Sequence, residues 1–429
     1  MVSFIVMEAT DTHRTIDAVW RIESPRLIAG LTRLLRDVGL AEELAQDALV
    51  AALERWPGSG IPDNPGAWLM ATAKHRAIDQ LRRRRMLSRK HETLGYELEM
   101  EQQSDDDTLE ASAEEVVGDD LLRLMFIACH PLLSTEARTA LTLKLLAGLT
   151  TAEIARAFLV PEATIAQRVV RAKRTLAAAR VPFETLQPEQ LSERLSSVME
   201  VIYLVFNEGY SATAGADWIR QVMCEEALRL GRMLAELAPH EAEVHGLVAL
   251  MEIQASRLHA RVGEHGEPVL LMQQNRALWD RLLIHRGLLA LARGEALGKP
   301  RGPYLLQAAI AACHARAAGA AETDWVLITA LYDELARLFP SPVVELNRAV
   351  AVSMAYGPAA GLELTDRLAA GGALHSYHLL PSVRGDLLAK LGRYHEARGE
   401  FERAATLTQN RRESRLLLDR AAACGSEQI

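Results

Sequence analysis

Aromatic residues are scarce in this sequence: Phe, Trp and Tyr together make up 5% of its 429 residues. Runs of β-branched residues are also rare, whereas helix-forming residues are abundant, so the composition favours an all-α fold. No apolar run reaches the roughly 18–20 residues that a membrane-spanning helix needs, so no membrane association is expected. The four cysteines lie far apart and form no CxxC pair, which argues against a disulfide framework or a zinc ribbon.

Sequence signatures of enzymes are absent as well. No Walker loop, GxSxG elbow or Rossmann fingerprint occurs. The segment His240–His245 resembles a zinc-protease helix, but its second histidine comes one residue too late for both to face one metal. Glu208 and Asp217 are candidate catalytic carboxylates, although their segment is better interpreted as a loop that joins the second helical block to the repeats. We therefore expect no enzymatic activity, no cofactor and no metal.

The charge of the chain is sorted along its length. The net charge of −8 does not by itself indicate nucleic-acid binding. However, the segment Lys74–Lys90 contains eight Lys or Arg and one acid, whereas residues 92–120 contain twelve acids and no base. Because the centre of the acidic stretch has no apolar residue, we expect residues 88–118 to form an acidic flexible linker.

The first block, residues 10–87, is expected to contain three helices. Asn64 and Pro65 fit the N-cap and the first position of the third helix. Residues 57–63, which are rich in Pro and Gly, are expected to form a loop of turn residues between the second and third helices. This helix combines an apolar stripe with a cationic face, as phosphate-binding helices do, although a merely solvated basic face is the alternative. Trp68 fits either a core position or stacking on an unpaired base. The candidate side chains are Trp68, Lys74, Arg76, Gln80, Arg82 and Arg83.

The second helix of the first block presents Glu43, Gln46 and Asp47 on one edge. The residues behind this edge are mostly apolar, as in an amphipathic helix with one buried side. The edge is either a solvated acidic face or a contact site for a partner.

The second block, residues 119–182, contains a helix-turn-helix pattern. Thr150 and Glu153 form a capping box before a short helix, and a longer helix begins near Pro161 after a three-residue turn. Arg and Gln on the outer face of the longer helix are able to contact guanine and adenine in the major groove. A helical hairpin of another kind is the alternative. The outward residues are Thr164, Gln167, Arg168, Arg171 and Arg174.

The third block, residues 188–429, is expected to be a helical extension. Its helix pairs recur about every 34 residues, which resembles the tetratricopeptide repeat. The clearest pair lies within residues 342–424, where Gly385 allows close helix packing and Phe401 fills the seam.

Taken in order, these elements resemble a bacterial RNA polymerase sigma factor of the extracytoplasmic-function (ECF) type. The segment Asp37–Asp47 resembles region 2.2 of that family, Asn64–Arg84 resembles regions 2.3 and 2.4, and Thr151–Leu176 resembles region 4.2. The segments Leu204–Ala212 and Ala277–Arg281, with the tetratricopeptide-like tail, resemble the subgroup that has a long C-terminal extension.

The resemblance implies two small helical sigma domains, the second with a helix-turn-helix, joined by the acidic linker and followed by a helical-repeat domain. It implies a cytoplasmic protein that binds core RNA polymerase and directs promoter-specific transcription initiation. Glu43, Gln46 and Asp47 would contact core polymerase, the basic helix would engage the −10 element of promoter DNA, and the helix after the turn would read the −35 element.

The resemblance leaves the role of the extension open. We expect it to regulate activity, through a protein partner or an intramolecular contact of its repeats. The alternative function is that of a one-component helix-turn-helix regulator with a tetratricopeptide-like sensor domain. Such a regulator binds DNA without polymerase and has no need of the first block.

Overall fold

The computed structural model describes residues 2–92, 113–179, 181, 188–211, 214–215, 220–263, 267–372 and 374–426. Within these residues the fold is all-α, as predicted, with eighteen α-helices and two strands of two residues each. In the same segments, no helix combines the length and the apolarity needed to cross a membrane. The chain divides into two compact units, Met1–Val201 and Ile202–Ile429.

The first unit contains seven complete helices and the first part of an eighth. Their bounds are α1 (Val2–Leu35), α2 (Val38–Ser59), α3 (Pro65–Glu92), α4 (Ala113–Ala128), α5 (Thr135–Leu145), α6 (Thr151–Phe158), α7 (Glu162–Ala178) and α8 (Pro188–Tyr210). The predicted linker at residues 88–118 lies mostly outside the described residues, because α3 runs to Glu92 and α4 begins at Ala113.

The predicted helix caps in this unit are confirmed. The Asn64 side chain accepts a hydrogen bond from the backbone N–H of Ala67 at 3.0 Å, at the start of α3. At the start of α6, Thr150 Oγ1 accepts from the backbone N–H of Glu153, and the Glu153 carboxylate accepts from the backbone N–H of Thr150. These bonds satisfy N–H groups that have no partner within the helix.

The loop between α2 and α3 is shorter than the sequence predicted. We expected a turn-rich loop over residues 57–63, but α2 continues through Pro57 to Ser59. Gly60 ends the helix, with a φ of +83° that favours glycine. Pro57 lacks a backbone N–H donor, and only two further residues of α2 follow it.

The helices of the first unit share one packed interior. α1 packs against both α2 and α3 and also against α4 and α5, while α7 packs against α5, α6 and α2. The largest fully buried side chains of this unit are Ile16, Ile28, Leu31, Trp56, Leu69, Leu124, Met125, Leu141, Leu143 and Leu145. The first two predicted blocks are therefore in direct contact.

The second unit begins within α8 and contains ten further helices. Their bounds are α9 (Gln221–Leu237), α10 (Ala242–Ala255), α11 (Arg281–Ala296), α12 (Pro303–Arg316), α13 (Trp325–Leu338), α14 (Pro342–Tyr356), α15 (Pro358–Ala370), α16 (Leu379–Lys390), α17 (Tyr394–Leu407) and α18 (Arg411–Ser426). The strands β1 (Ala214–Gly215) and β2 (Gln409–Asn410) pair in parallel, so the two ends of this unit meet.

Helices of the second unit pack mainly on their neighbours in sequence, as in a helical array. The pair α16–α17 has the seam that the sequence predicted: Phe401 is 1% exposed, and a Cβ atom on Gly385 would lie 2.8 Å from its ring. Assignment of the array to the tetratricopeptide class stays a prediction.

Candidate functional site

The predicted DNA-facing side of α3 is exposed. Lys74, Arg76 and Arg82 are exposed, whereas the opposite side of the helix is buried. The buried side consists of Leu69, Ala73 and Ala77. Within the described part of the chain, Lys74 and Arg82 form no ion pair, so their charge is available to an anionic partner. The side chain of Arg83 lies outside the described residues.

Trp68 and Gln80 are half-buried on the same helix. The Trp68 ring meets the buried ring of Trp56 edge to face, with 5.3 Å between centroids. Trp68 therefore belongs partly to the core and keeps an accessible portion, so both roles considered for it remain open. The Gln80 Oε1 atom is buried and has no hydrogen-bond partner among the side chains and backbone groups that the structure describes.

The predicted polymerase-contact edge of α2 lies beside the DNA-facing side of α3. Glu43, Gln46 and Asp47 are all exposed. Asp47 forms an ion pair with Arg76, with 3.1 Å between Oδ2 and Nη1. Both side chains are about half exposed, and such pairs contribute roughly 0–1 kcal/mol, so either member is readily taken by another partner.

The longer helix of the helix-turn-helix presents the face that the sequence predicted. Ile165, Val169, Ala172 and Leu176 form its buried side. Leu159, with a φ of +52°, provides the left-handed residue of the turn. Of the predicted outward residues, Gln167, Arg171 and Arg174 are exposed, and Thr164 and Arg168 are half-buried. In the described residues, Arg171 and Arg174 have no carboxylate partner.

Sequence reasoning missed Glu42, which lies next to the exposed Glu43. Glu42 is 4% exposed and forms ion pairs with Lys173 of α7 and, at 3.8 Å, with Lys144 of α5. It also accepts a hydrogen bond of 2.7 Å from Gln46 Nε2. Burial lowers the pKa of both lysines. Helical spacing was the available signal, because position 42 lies four residues after the buried Val38.

Two further ion pairs connect helices of the first predicted block with helices of the second. Arg21 of α1 pairs with Glu153 of α6 at 3.1 Å, and Arg33 of α1 pairs with Asp120 of α4 at 3.4 Å. The helices that carry the two predicted DNA-binding faces are therefore connected by charged contacts as well as by apolar packing.

The segments considered above as candidate enzyme sites form hydrogen bonds and ion pairs with other parts of the fold. The Glu243 carboxylate accepts backbone N–H bonds from Gly302, Tyr304 and Leu305 at 2.8–3.2 Å, so it caps α12. Glu208 pairs with Arg220. Asp217 lies outside the described residues. Among the side chains that the structure describes, no group of three candidate metal ligands occurs.

Family models match three parts of the chain. Residues 20–86 match Sigma-70 region 2, and residues 123–176 match Sigma-70, region 4. Residues 194–295, which begin within α8, match a family of unknown function, DUF6596. The first two matches contain α2, α3 and the helix-turn-helix, which are the elements that carry the faces described above.

Known proteins extend the comparison over the whole chain. An uncharacterized protein of Rhizobium meliloti (strain 1021) is 44% identical over 418 residues, which are 96% of this chain and 97% of that protein. The ECF RNA polymerase sigma factor SigK of Mycobacterium sp. (strain KMS) is 30% identical over 148 residues, which are 34% of this chain and 72% of that protein. The chain therefore belongs to the ECF RNA polymerase sigma factors of the sigma-70 family.

Proposed function

We propose that α2, α3 and α7 share the task of promoter-specific transcription initiation. The exposed edge of α2 contacts core RNA polymerase, α3 engages the −10 element, and α7 reads the −35 element. The observation that carries this proposal is the pair of exposed cationic faces on α3 and α7, each opposite a buried apolar stripe. Family membership supports it, since sigma-70 proteins act in transcription initiation.

The face of α7 has the chemistry of a major-groove reader. Gln167 and Arg171 are four residues apart and therefore lie on the same side of the helix. Their side chains are suited to adenine and guanine edges, while Arg174 is placed to neutralise a phosphate. All three side chains are exposed, so they reach DNA without rearrangement of the helix core.

The face of α3 combines phosphate contacts with an aromatic ring. Lys74 and Arg82 supply the positive charge, and Arg76 adds to it when its exposed pair with Asp47 opens. Trp68 lies near the short loop at residues 60–64. An unstacked base costs a few kcal/mol, and stacking on an accessible aromatic ring offsets part of that cost.

We also propose that the extension after residue 188 regulates this activity in cis. The start of the extension packs on the region that carries the helix-turn-helix. Ser197 Oγ of α8 donates to the Cys129 carbonyl at 2.7 Å, and Arg138 of α5 donates to Ser197 Oγ at 2.6 Å. These contacts connect α8 to α5, which packs against α7.

The proposed function is tested with purified core RNA polymerase. The full-length protein should bind core polymerase in a pull-down and yield specific run-off transcripts from matched promoters. Replacing both Arg171 and Arg174 with Ala should reduce transcription at least tenfold, because each contact to a base edge or phosphate contributes about 1–3 kcal/mol, and core binding should persist.

The control for this experiment is Arg286→Ala, which removes an exposed arginine of α11 in the second unit. It should transcribe like the unaltered protein. Specific DNA binding without any association with core polymerase would instead identify a one-component regulator.

A further inference from the structure

The second unit contains an unusual concentration of buried positive charge. Arg276 is 9% exposed and Arg257 is half-buried, and both guanidinium groups lie against the ring of Trp279, at 5.0 and 5.5 Å from its centre. Arg261, also 9% exposed, stacks on the ring of Tyr210 at 3.7 Å. All of these residues lie within or beside the segment that matches the family of unknown function.

In the part of the chain that the structure describes, the two arginines beside Trp279 donate to neutral groups rather than to carboxylates. In the described residues, neither Arg257 nor Arg276 forms an ion pair with a carboxylate. Arg276 donates to the carbonyls of His314 and Ala317 and to the Thr323 hydroxyl at 2.6–3.0 Å, which are neutral acceptors. Burying cations without a counter-charge is costly, and a bound anion would reduce that cost.

The charges of these groups lie close enough to influence one another's pKa values. Burial lowers the pKa of Arg257, and the neighbouring Arg261 and Arg276 lower it further. Burial also lowers the pKa of His314 to about 4, and Arg257 and Arg276 contribute to the same shift. Glu322, an exposed residue, partly offsets the effect of burial on Arg276.

Several buried polar atoms in the cluster have no partner among the described residues. They are Trp279 Nε1, Arg276 Nε and His314 Nδ1, and their residues are 3%, 9% and 8% exposed. Two of these atoms are obligatory donors, and the imidazole nitrogen becomes one in the appropriate tautomer. Buried donors normally have acceptors, and the oxygens of an anion bound here would serve as acceptors.

We propose that Arg257, Arg276, Trp279 and His314 form a binding site for a small oxyanion, with phosphate or carboxylate oxygens as acceptors. Guanidinium groups bind such oxygens through charge-assisted hydrogen bonds, and the indole N–H adds a neutral donor. The site gives the extension a ligand of its own. Its residues are distinct from those of α3 and α7, the helices proposed to face DNA.

Isothermal titration of the full-length protein with inorganic phosphate, at constant ionic strength, tests the proposal. Saturable binding is expected, and Arg257→Gln should weaken it by about tenfold or more, because a hydrogen bond to a charged group contributes about 1.5–3 kcal/mol. Trp279→Phe keeps an aromatic ring and removes the indole N–H donor together with the five-membered ring, so it should weaken binding as well. The matched control Arg286→Gln, on the exposed side of α11, should bind phosphate like the unaltered protein.

Parallel titrations with sulfate, citrate and acetate distinguish phosphate-like ligands from carboxylates. Binding of citrate and not phosphate, with the same sensitivity to Arg257→Gln, would support the site and assign it to a carboxylate ligand. Heats indistinguishable from those of added sodium chloride for all four anions would overturn the proposal. Phosphate binding that Arg257→Gln and Trp279→Phe leave unchanged would also overturn it, since the anion then binds elsewhere.

Discussion

Glu42 and Glu43 are adjacent carboxylates in α2 with opposite environments. Glu43 is exposed, whereas Glu42 is buried between Lys173 and Lys144. A helix places consecutive residues about 100° apart, and here this step carries the chain from the buried side at Glu42 to the exposed side at Glu43. The same residue type therefore serves a proposed partner contact at one position and internal packing at the next.

Glu42→Gln should destabilise the first unit by roughly 2–4 kcal/mol, because it leaves two partly buried lysines without their counter-charge. Urea unfolding followed by circular dichroism measures this change. Glu43→Gln is the matched control and should alter stability by less than about 0.5 kcal/mol. Equal effects of the two substitutions would contradict the buried ion pairs described above.

His314 should make the stability of the second unit depend on pH. Its pKa in the folded chain is about 4, below the ordinary value of 6.5, so the unfolded chain binds more protons between these values. The free energy of unfolding should therefore fall as the pH decreases, by about 2 kcal/mol between pH 7 and pH 5.

Thermal unfolding at a series of pH values measures this dependence. His314→Asn removes the titrating group and should flatten the profile, whatever its effect on stability at pH 7. The exposed His240, replaced by Asn, is the control and should leave the slope unchanged. A slope unaffected by His314→Asn would assign the pH dependence to other groups.

At the scale of helices, features that depend on a few neighbouring residues differ from features that depend on packing in how well the sequence predicts them. The caps at Asn64 and Thr150 were predicted because they depend on side chains within three residues of each other. The end of α2 was predicted wrongly, because Pro57 reads as a helix breaker although the helix continues to Ser59. The buried stripe of α7 was predicted from its periodicity and is confirmed.

The seam between α16 and α17 offers a paired test of packing. Gly385→Ala places a Cβ atom 2.8 Å from the Phe401 ring and should destabilise the second unit by about 1–3 kcal/mol. Gly399→Ala in α17 meets no atom within 4 Å and should stabilise it by about 0.5–1 kcal/mol. Chemical denaturation of both variants measures the difference. A gain in stability from Gly385→Ala would contradict the close approach of the two helices.

At the scale of the whole molecule, the structure determines where the extension is best removed. Residues of α8 up to Glu200 contact α5 and the turn that follows α4, and Arg138 pairs with Glu200 at 3.3 Å. A cut after Arg180 therefore removes part of the packing of the first unit, whereas a cut after Val201 follows the boundary between the units. Truncation at Val201 is the sharper test of regulation in cis.

The chain truncated after Val201 should differ from the full-length protein in promoter-dependent transcription by several-fold, if the extension regulates activity. Run-off transcription with purified core polymerase measures this difference, and circular dichroism checks that the truncated chain keeps its helices. Identical transcript yields from two folded proteins would rule out regulation in cis.

The sequence by itself determined the all-α class, the helix-turn-helix and the cationic faces of α3 and α7, because these follow from composition, local caps and helical period. Only the tertiary structure revealed the position of Glu42 between two lysines and the cluster of Arg257, Arg276 and His314 around Trp279. The residues of both clusters come from helices far apart in sequence or from irregular segments that have no helical periodicity. Their contacts depend on how helices pack, and no local pattern encodes that packing.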